Sequence, residues 1–371
     1  MVNRKKKIGL LTFHCAHNYG AVLQAYALQE YIKSLGCDVE ILDYRPNEIT
    51  QSYRIIPKLL IKSNSISSKL KTIIKYFILF IFQICIRIWR RRLFLRFMHN
   101  KYHLSSSMYN YEFNKNYDYD LYIIGSDQVW NPTLTKGLNP IYFGDFDVSK
   151  FAKKVTYAAS SSYYDFTEIQ KKEIRKYLDN FYKLSVRENE LSEYIESEFN
   201  KKAQVVLDPT LLVDIDVWNN IAIKPSRERY LLTYIIGSEV SDIAKQIAKE
   251  RNLKIINISP IYKDVIRNKK VFGPAEFVGL FKYAEYIVCS SFHGTVFSIL
   301  YNKEFCSVGS GNHLDSRVKS LLHDLNLENR LIFNIKDKEK LQEPIDYRYV
   351  NTKLIELKKG SADFLNRVIY D

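Results

Sequence analysis

The sequence predicts an α/β protein of two doubly wound, Rossmann-like domains. Three observations predict it. Short apolar runs end in small or polar residues and are each followed by an apolar pattern of helical period, first near residue 8 and again near 230. The chain has 371 residues, more than one compact core takes up. Its composition, 46% hydrophobic and 26% charged, is that of a folded globular protein.

Ile8 to Phe13 reads as the first strand and His14 to Gly20 as a polar turn. A helix from Ala21 to Leu35 follows, stopped by Gly36, and then a strand from Val39 to Leu42. This opening lacks a G-x-G-x-x-G turn, which argues against a dinucleotide site. His14, His17 and Asn18 stand where a ligand binds in such folds, at a strand's carboxyl end; the simpler reading is that Asn18 caps the helix and Gly20 permits a tight turn.

Residues 50 to 115 break the α/β rhythm and read as a helical insertion. No Asp or Glu occurs between Glu48 and Glu112, while twelve Lys and Arg do, against a net charge of +14 for the whole chain. The basic character is therefore local, and so is the anionic partner it implies. Thr72 to Trp89 is strongly apolar, with Lys75, Gln83 and Arg87 in one narrow helical stripe, and Arg90-Arg91-Arg92 follows. With charges inside it, the segment is expected to lie in a membrane interface over 69–98, its arginines on anionic headgroups, rather than to span. The alternative is a segment buried between helices. No nucleic-acid module accompanies the charge.

Beyond the insertion, Tyr119 to Ile124 is a strand ending in Gly125-Ser126-Asp127-Gln128, and Val155 to Ala159 one ending in three serines. Tyr182 to Val186 is a strand with Arg187-Glu188 at its end, where an arginine suits a phosphate or carboxylate, or else pairs with a neighbouring glutamate. The second unit begins near Tyr230, with Lys254 to Ile258, Tyr286 to Cys289 and Glu304 to Val308 as further strands. Pro274 opens a helix at the first-turn position it favours. After Cys289 come Ser290, Ser291, His293, Gly294 and Thr295, and then a helical apolar stripe. A helix N-terminus there favours an anion, and His293 carries a side chain that titrates near neutrality. Arg317 begins a later helix, and Leu354 to Ile369 is the last one. The expected division is 1–180, 181–350, and a C-terminal helix over 351–371 that packs back on the first domain, with a polar cleft between the domains.

The five cysteines are scattered and none forms C-x-x-C, so neither a zinc site nor a disulfide framework is expected, and a reducing cytoplasm fits. The apolar run after Arg4 to Lys7 is too short for a secretory signal.

Five segments, taken together, resemble the polysaccharide pyruvyltransferase family. They are Ile8 to His14 with Asn18 to Leu28, Ile124 to Asn131, Leu184 to Glu188, Val206 to Leu211, and Ser290 to Thr295. The resemblance implies a GT-B-like pair of domains and transfer of a pyruvyl group from phosphoenolpyruvate to two hydroxyls of one sugar, as a cyclic ketal. The acceptor it implies is a lipid-linked or polymeric glycan for capsule or exopolysaccharide. By it, His293 and Arg187 match the catalytic pair. Arg187, Ser290, Ser291, His293, Gly294, Thr295 and Arg317 take the donor. His14, His17, Asn18, Tyr19, Gly20, Ser126, Asp127 and Gln128 face the acceptor. Phosphoenolpyruvate is then a co-substrate, with no metal and no resident cofactor. Two rivals remain: a nucleotide-sugar glycosyltransferase of the same architecture, and a non-catalytic membrane-associated glycan-binding protein.

Overall fold

A computed structural model describes residues 4–53, 69–106, 118–226, 229–234, 238–258, 271–311 and 315–371, with side chains of the long basic helix described from Ile84 onward. The parts of the insertion over 54–68 and 107–117, and the apolar stripe up to Gln83, lie outside these.

The first sheet is built from β1 (Lys7–Leu11), β2 (Asp38–Ile41), β3 (Leu121–Ile124) and β4 (Lys153–Thr156), parallel, in the order β2-β1-β3-β4. The two inner strands, β1 and β3, are almost wholly apolar because both faces are covered. Helix α1 (Tyr19–Ser34) links β1 to β2 and is buried along nearly its whole length. Helix α2 (Lys69–Lys101) fills the insertion, and after it the chain returns to β2 through a bridge between Ile41 and Leu104.

The boundary between the units differs from the one read in the sequence. After α3 (Glu168–Leu178), the strands β5 (Leu184–Val186) and β6 (Ala203–Val205), joined by α4 (Asn189–Phe199), do not open the second domain. Bridges Val155 to Lys183 and Ala159 to Val186 carry them onto the edge of β4. Arg187 therefore belongs to the first unit. The pairing partner of β5 lies some thirty residues away, and a short strand's own sequence does not say which sheet it joins.

The second sheet is a parallel set in the order β11-β10-β9-β7-β8, made of β7 (Tyr230–Tyr234), β8 (Lys254–Ile258), β9 (Tyr286–Cys289), β10 (Glu304–Val308) and β11 (Leu331–Ile332). It is wrapped by α5 (Ser238–Glu250), α6 (Pro274–Tyr283), α7 (Phe292–Leu300) and α8 (Ser316–Asp324). One apolar core runs through both units: Tyr19 of α1 stacks on Phe277 of α6 with ring centroids 4.5 Å apart, and its hydroxyl donates to the Phe272 carbonyl at 2.7 Å.

Helix α9 (Tyr347–Tyr370) ends the chain against the first unit. Its Ser361 hydroxyl accepts from the Leu207 amide at 2.9 Å, and Lys6 donates to the Ile369 carbonyl.

Candidate functional site

Two strand-to-helix turns from opposite ends of the chain meet face to face. In the first, Asn18 caps α1, its side-chain oxygen accepting from Gly20 N at 2.9 Å and Ala21 N at 3.3 Å. In the second, Ser291 precedes α7 without a side-chain cap bond, and His293 stands in the first helical turn rather than in the loop before it. The His293 ring lies on Gly20: a Cβ placed there would come within 2.1 Å of its Nδ1. Only a residue without a side chain lets α1 approach so closely.

His293 Nε2 points to a buried carboxylate. It stands 3.7 Å from Asp208 Oδ2, an ion-pair distance too long for a hydrogen bond, and has no hydrogen-bond partner among the described residues. Asp208 is fixed on every other side. Its Oδ1 accepts from the Thr210 amide at 2.9 Å and hydroxyl at 2.6 Å, and its Oδ2 from Arg187 Nη1 at 2.7 Å and Ser126 Oγ at 3.3 Å. Burial opposes its charge, but His293, Arg187 and Thr210 more than offset this and hold the carboxyl well below the usual carboxylate range. Asp208 was not among the residues singled out from the sequence. The visible signal was Asp-Pro-Thr after a strand, which reads as a helix cap, and a cap it also is.

Arg187 is 6% exposed and engaged by the protein itself. Besides Asp208, it donates to Ser160 Oγ at 2.9 Å and lies 3.4 Å from Glu188 Oε1 and 3.7 Å from Asp127 Oδ1. Burial works against its charge, and Glu188, Asp208 and Asp127 raise its pKa in spite of it. It sits behind the cleft wall, with its guanidinium 4.8 Å from the Phe292 ring centroid.

Arg317, at the start of α8, lies on the other side of Phe292, 5.8 Å from the ring centroid, and it lines the cleft. Its Nη2 and Nη1 donate to the Gln128 side-chain oxygen at 2.7 and 3.1 Å, with that amide turned toward it, and its buried Nε has no partner among the described residues. Burial and then repulsion from Arg187 lower its pKa, against the pull of Glu188, Asp127 and Asp208. Among the described residues Arg317 makes no ion pair. Behind it, burial raises the Glu188 pKa despite Arg187, Ser160 and Arg317.

The cleft, about 510 Å³, opens at the carboxyl ends of strands from both units. Asn18, Asp127, Gln128, Ser290, Ser291, His293 and Arg317 line it. Other residues named from the sequence stand elsewhere. Ser126 is fully buried, and its carbonyl accepts from Thr12 Oγ1 at 2.9 Å. Thr295 is fully buried too, bonded to Ser307 Oγ at 2.6 Å, and Gly294 packs on Cys289. Tyr19 belongs to the core. His14 is 1% exposed, its Nε2 2.8 Å from Asp43 Oδ1 and its Nδ1 3.3 Å from the Thr12 carbonyl. His17 lies between Phe94 and Tyr53, with ring centroids 5.6 and 5.4 Å away. His14 and His17 line a second pocket rather than the cleft, because successive residues of this turn face opposite ways.

The three successive arginines of α2 also part company. Arg90 turns inward, donating to the His17 carbonyl at 3.2 Å with its guanidinium over the rings of Tyr19 and Phe94. Arg91 lines the second pocket, and Arg92 is exposed. Residues about 100° apart around a helix cannot all face one surface. Among the described residues no helix is long and apolar enough to cross a membrane, and no group of three His, Cys, Asp or Glu is placed to hold a metal ion.

Two doubly wound units with a cleft at their strand ends define the GT-B-like class. Solved structures are similar to the chain at low identity. A UDP-N-acetylglucosamine 2-epimerase aligns with TM-score 0.50 and 11% identity over 99% of this chain and 95% of its own. The S. aureus MnaA–UDP complex gives TM-score 0.48 and 12% identity over 98% and 96%, and Arabidopsis thaliana UGT89C1 gives 0.48 and 11% over 99% and 100%. No curated protein matches the sequence. Residues 18–312 match the family model for polysaccharide pyruvyl transferase, and the chain belongs to that family.

Proposed function

We propose that the protein transfers the pyruvyl group of phosphoenolpyruvate to two hydroxyls of one sugar in a lipid-linked glycan, forming a cyclic ketal and releasing phosphate. The observation that carries this reading is a cleft-lining His293 whose buried Nε2 has no hydrogen-bond partner among the described residues and stands 3.7 Å from the Asp208 carboxylate, with Arg317 lining the same cleft.

In this reading Arg317 and the uncapped N-terminus of α7 hold the donor's anionic groups. Arg187 is a positioning residue: it fixes Asp208, which supports His293 when the ring carries a proton. His293 gives that proton to C3 of phosphoenolpyruvate, making the methyl group and leaving C2 electrophilic. The first sugar hydroxyl bonds to C2, and its proton returns the ring to the charged state. The C2–O bond to phosphate then breaks. The second hydroxyl closes the ketal, and its proton leaves with phosphate. Asp127, Gln128 and Asn18 stand on the acceptor side.

The enzyme works at the cytoplasmic face of the membrane in this proposal, docked through 69–98. Trp89, 52% exposed, with the exposed Arg92, gives α2 an outer surface suited to anionic lipid.

The test is calorimetric titration of phosphoenolpyruvate and a panel of nucleotide sugars, followed by turnover with a lipid-linked glycan in D2O. The expected product carries one deuterium in the ketal methyl group. Binding of a nucleotide sugar with indifference to phosphoenolpyruvate would overturn the proposal.

A further inference from the structure

Beside the cleft lies a second pocket of about 550 Å³, built from the first turn and the long helix. Its walls carry Arg45, Arg91, His17 and His99, and among the described residues no Asp or Glu lines it. Arg45 is anchored by Asp43 Oδ1 at 2.6 Å, with its side chain one-third exposed (33%). Arg91 comes from α2 one residue after Arg90, whose charge is turned inward on the same turn. The local field is positive: burial and then Arg91, Arg90 and Arg45 push the His17 pKa down to about 4, so its ring is neutral at physiological pH and serves as a hydrogen-bonding group. One side of the pocket is apolar, formed by Leu95, Met98 and Leu104.

The pocket and the cleft are back to back. In the short segment Asn47–Tyr53, residues Asn47, Thr50 and Gln51 face the pocket while Glu48 and Ile49 face the cleft. Cys15 and His17 line the pocket, and Ala16 and Asn18 the cleft. Tyr53 lines both and forms their common rim. A ligand crossing that rim would meet sugar-binding polar groups on one side and cations with an apolar flank on the other.

We propose that this pocket holds the diphosphate of the acceptor, a glycan joined through a diphosphate ester to an apolar alcohol. Arg45 and Arg91 clamp the phosphates, the alcohol leaves over Leu95 and Met98 along α2, and the sugar reaches past Tyr53 into the cleft. The inference rests on the pyruvyltransferase reading for what happens at the sugar, but not for the diphosphate site itself.

The experiment is calorimetry on the full chain with inorganic diphosphate as the probe, in saturating phosphoenolpyruvate. Wild-type protein is expected to bind one diphosphate. Arg91→Gln, at an exposed helix position, is expected to weaken it about tenfold or more while leaving phosphoenolpyruvate affinity unchanged. Arg317→Ala is expected to do the reverse. A chain that binds no diphosphate, binds it equally well after Arg91→Gln with Arg45→Gln, or releases it to phosphoenolpyruvate would overturn the proposal. Phosphatidylglycerol vesicles separate the two sources of phosphate. Vesicles that displace the diphosphate would show a site for lipid headgroups and overturn the acceptor assignment, whereas co-sedimentation that leaves diphosphate bound supports it. Failure of phosphoenolpyruvate to bind, with diphosphate binding intact, would strike the donor reading alone.

Discussion

The β1–α1 and β9–α7 turns are built alike, each a buried strand, small polar residues, a histidine and a helix, yet their histidines are in opposite situations. His14 has both ring nitrogens engaged, by the Asp43 carboxylate and the Thr12 carbonyl, in a fully enclosed position. His293 lines the cleft, and its buried Nε2 has no hydrogen-bond partner among the described residues, with a carboxylate just beyond hydrogen-bond reach. A histidine at a strand end is thus equipped for proton transfer by what its neighbours leave undone. The first turn meets the second through Gly20, whose missing side chain makes room for His293.

The largest effect expected from breaking this contrast is at His293 itself. His293→Gln should lower turnover by about 10²- to 10⁴-fold, the usual contribution of a positioned acid–base group, with the melting temperature little changed. His14→Gln should do the opposite, losing about 1–3 kcal/mol of stability because Asp43 loses a partner in a buried site, with phosphoenolpyruvate affinity retained. Equal turnover in the two variants would remove the distinction.

Next in size is Gly20→Ala. The added methyl must displace the His293 ring, and the ring has little room to move in an enclosed position. Turnover should fall by about a hundredfold, as misplaced catalytic groups do, while circular dichroism keeps the native spectrum. Activity near wild type would mean that the ring's position against α1 is irrelevant to catalysis.

A smaller, more selective effect separates the two arginines. Arg317→Ala should weaken phosphoenolpyruvate binding by about ten- to a hundredfold, the value of charge-assisted hydrogen bonds. Arg187→Ala should cost stability first, because it leaves the Asp208 and Glu188 carboxylates buried without their cation. If Arg187→Ala folds with unchanged stability and loses the donor, the roles are reversed.

Much of the fold was legible in the sequence, because buried parallel strands write themselves as short apolar runs and some of the helices between them carry a start or stop signal, such as Gly36 after α1 and Pro274 in α6. The domain boundary was not, since the placement of β5 depends on a pairing with β4 that its own three residues do not encode. In the site, His293, Asp127 and Asn18 stood out as polar residues at strand ends, and they do line the cleft. Arg187 and Arg317 were both assigned to the donor, because a sequence shows a charge but not the carboxylates that converge on it. Asp208 was not singled out, because a carboxylate has two oxygens and local pattern shows at most the one that caps. The Arg90–Arg92 run read as one patch, where the helical turn sends its members to the core, the second pocket and solvent.

The smallest effect sharpens the comparison through pH. In the folded chain the Asp208 carboxyl titrates well below its unfolded value, held there against burial by His293, Arg187 and Thr210. A depressed carboxyl favours folding at pH values above its unfolded pKa, about 4, and that contribution is lost as pH falls toward the folded pKa. Asp208→Asn keeps the acceptor that caps Thr210 but removes the charge. Wild type should therefore melt higher than Asp208→Asn at pH 7, and the gap should narrow as pH drops below about 4. Turnover should fall as well, because His293 loses the carboxylate that faces its Nε2 at 3.7 Å. A melting gap that is the same at pH 7 and pH 3 would mean that Asp208 acts by shape alone, and that the contrast between His14 and His293 owes nothing to the carboxylate each one faces.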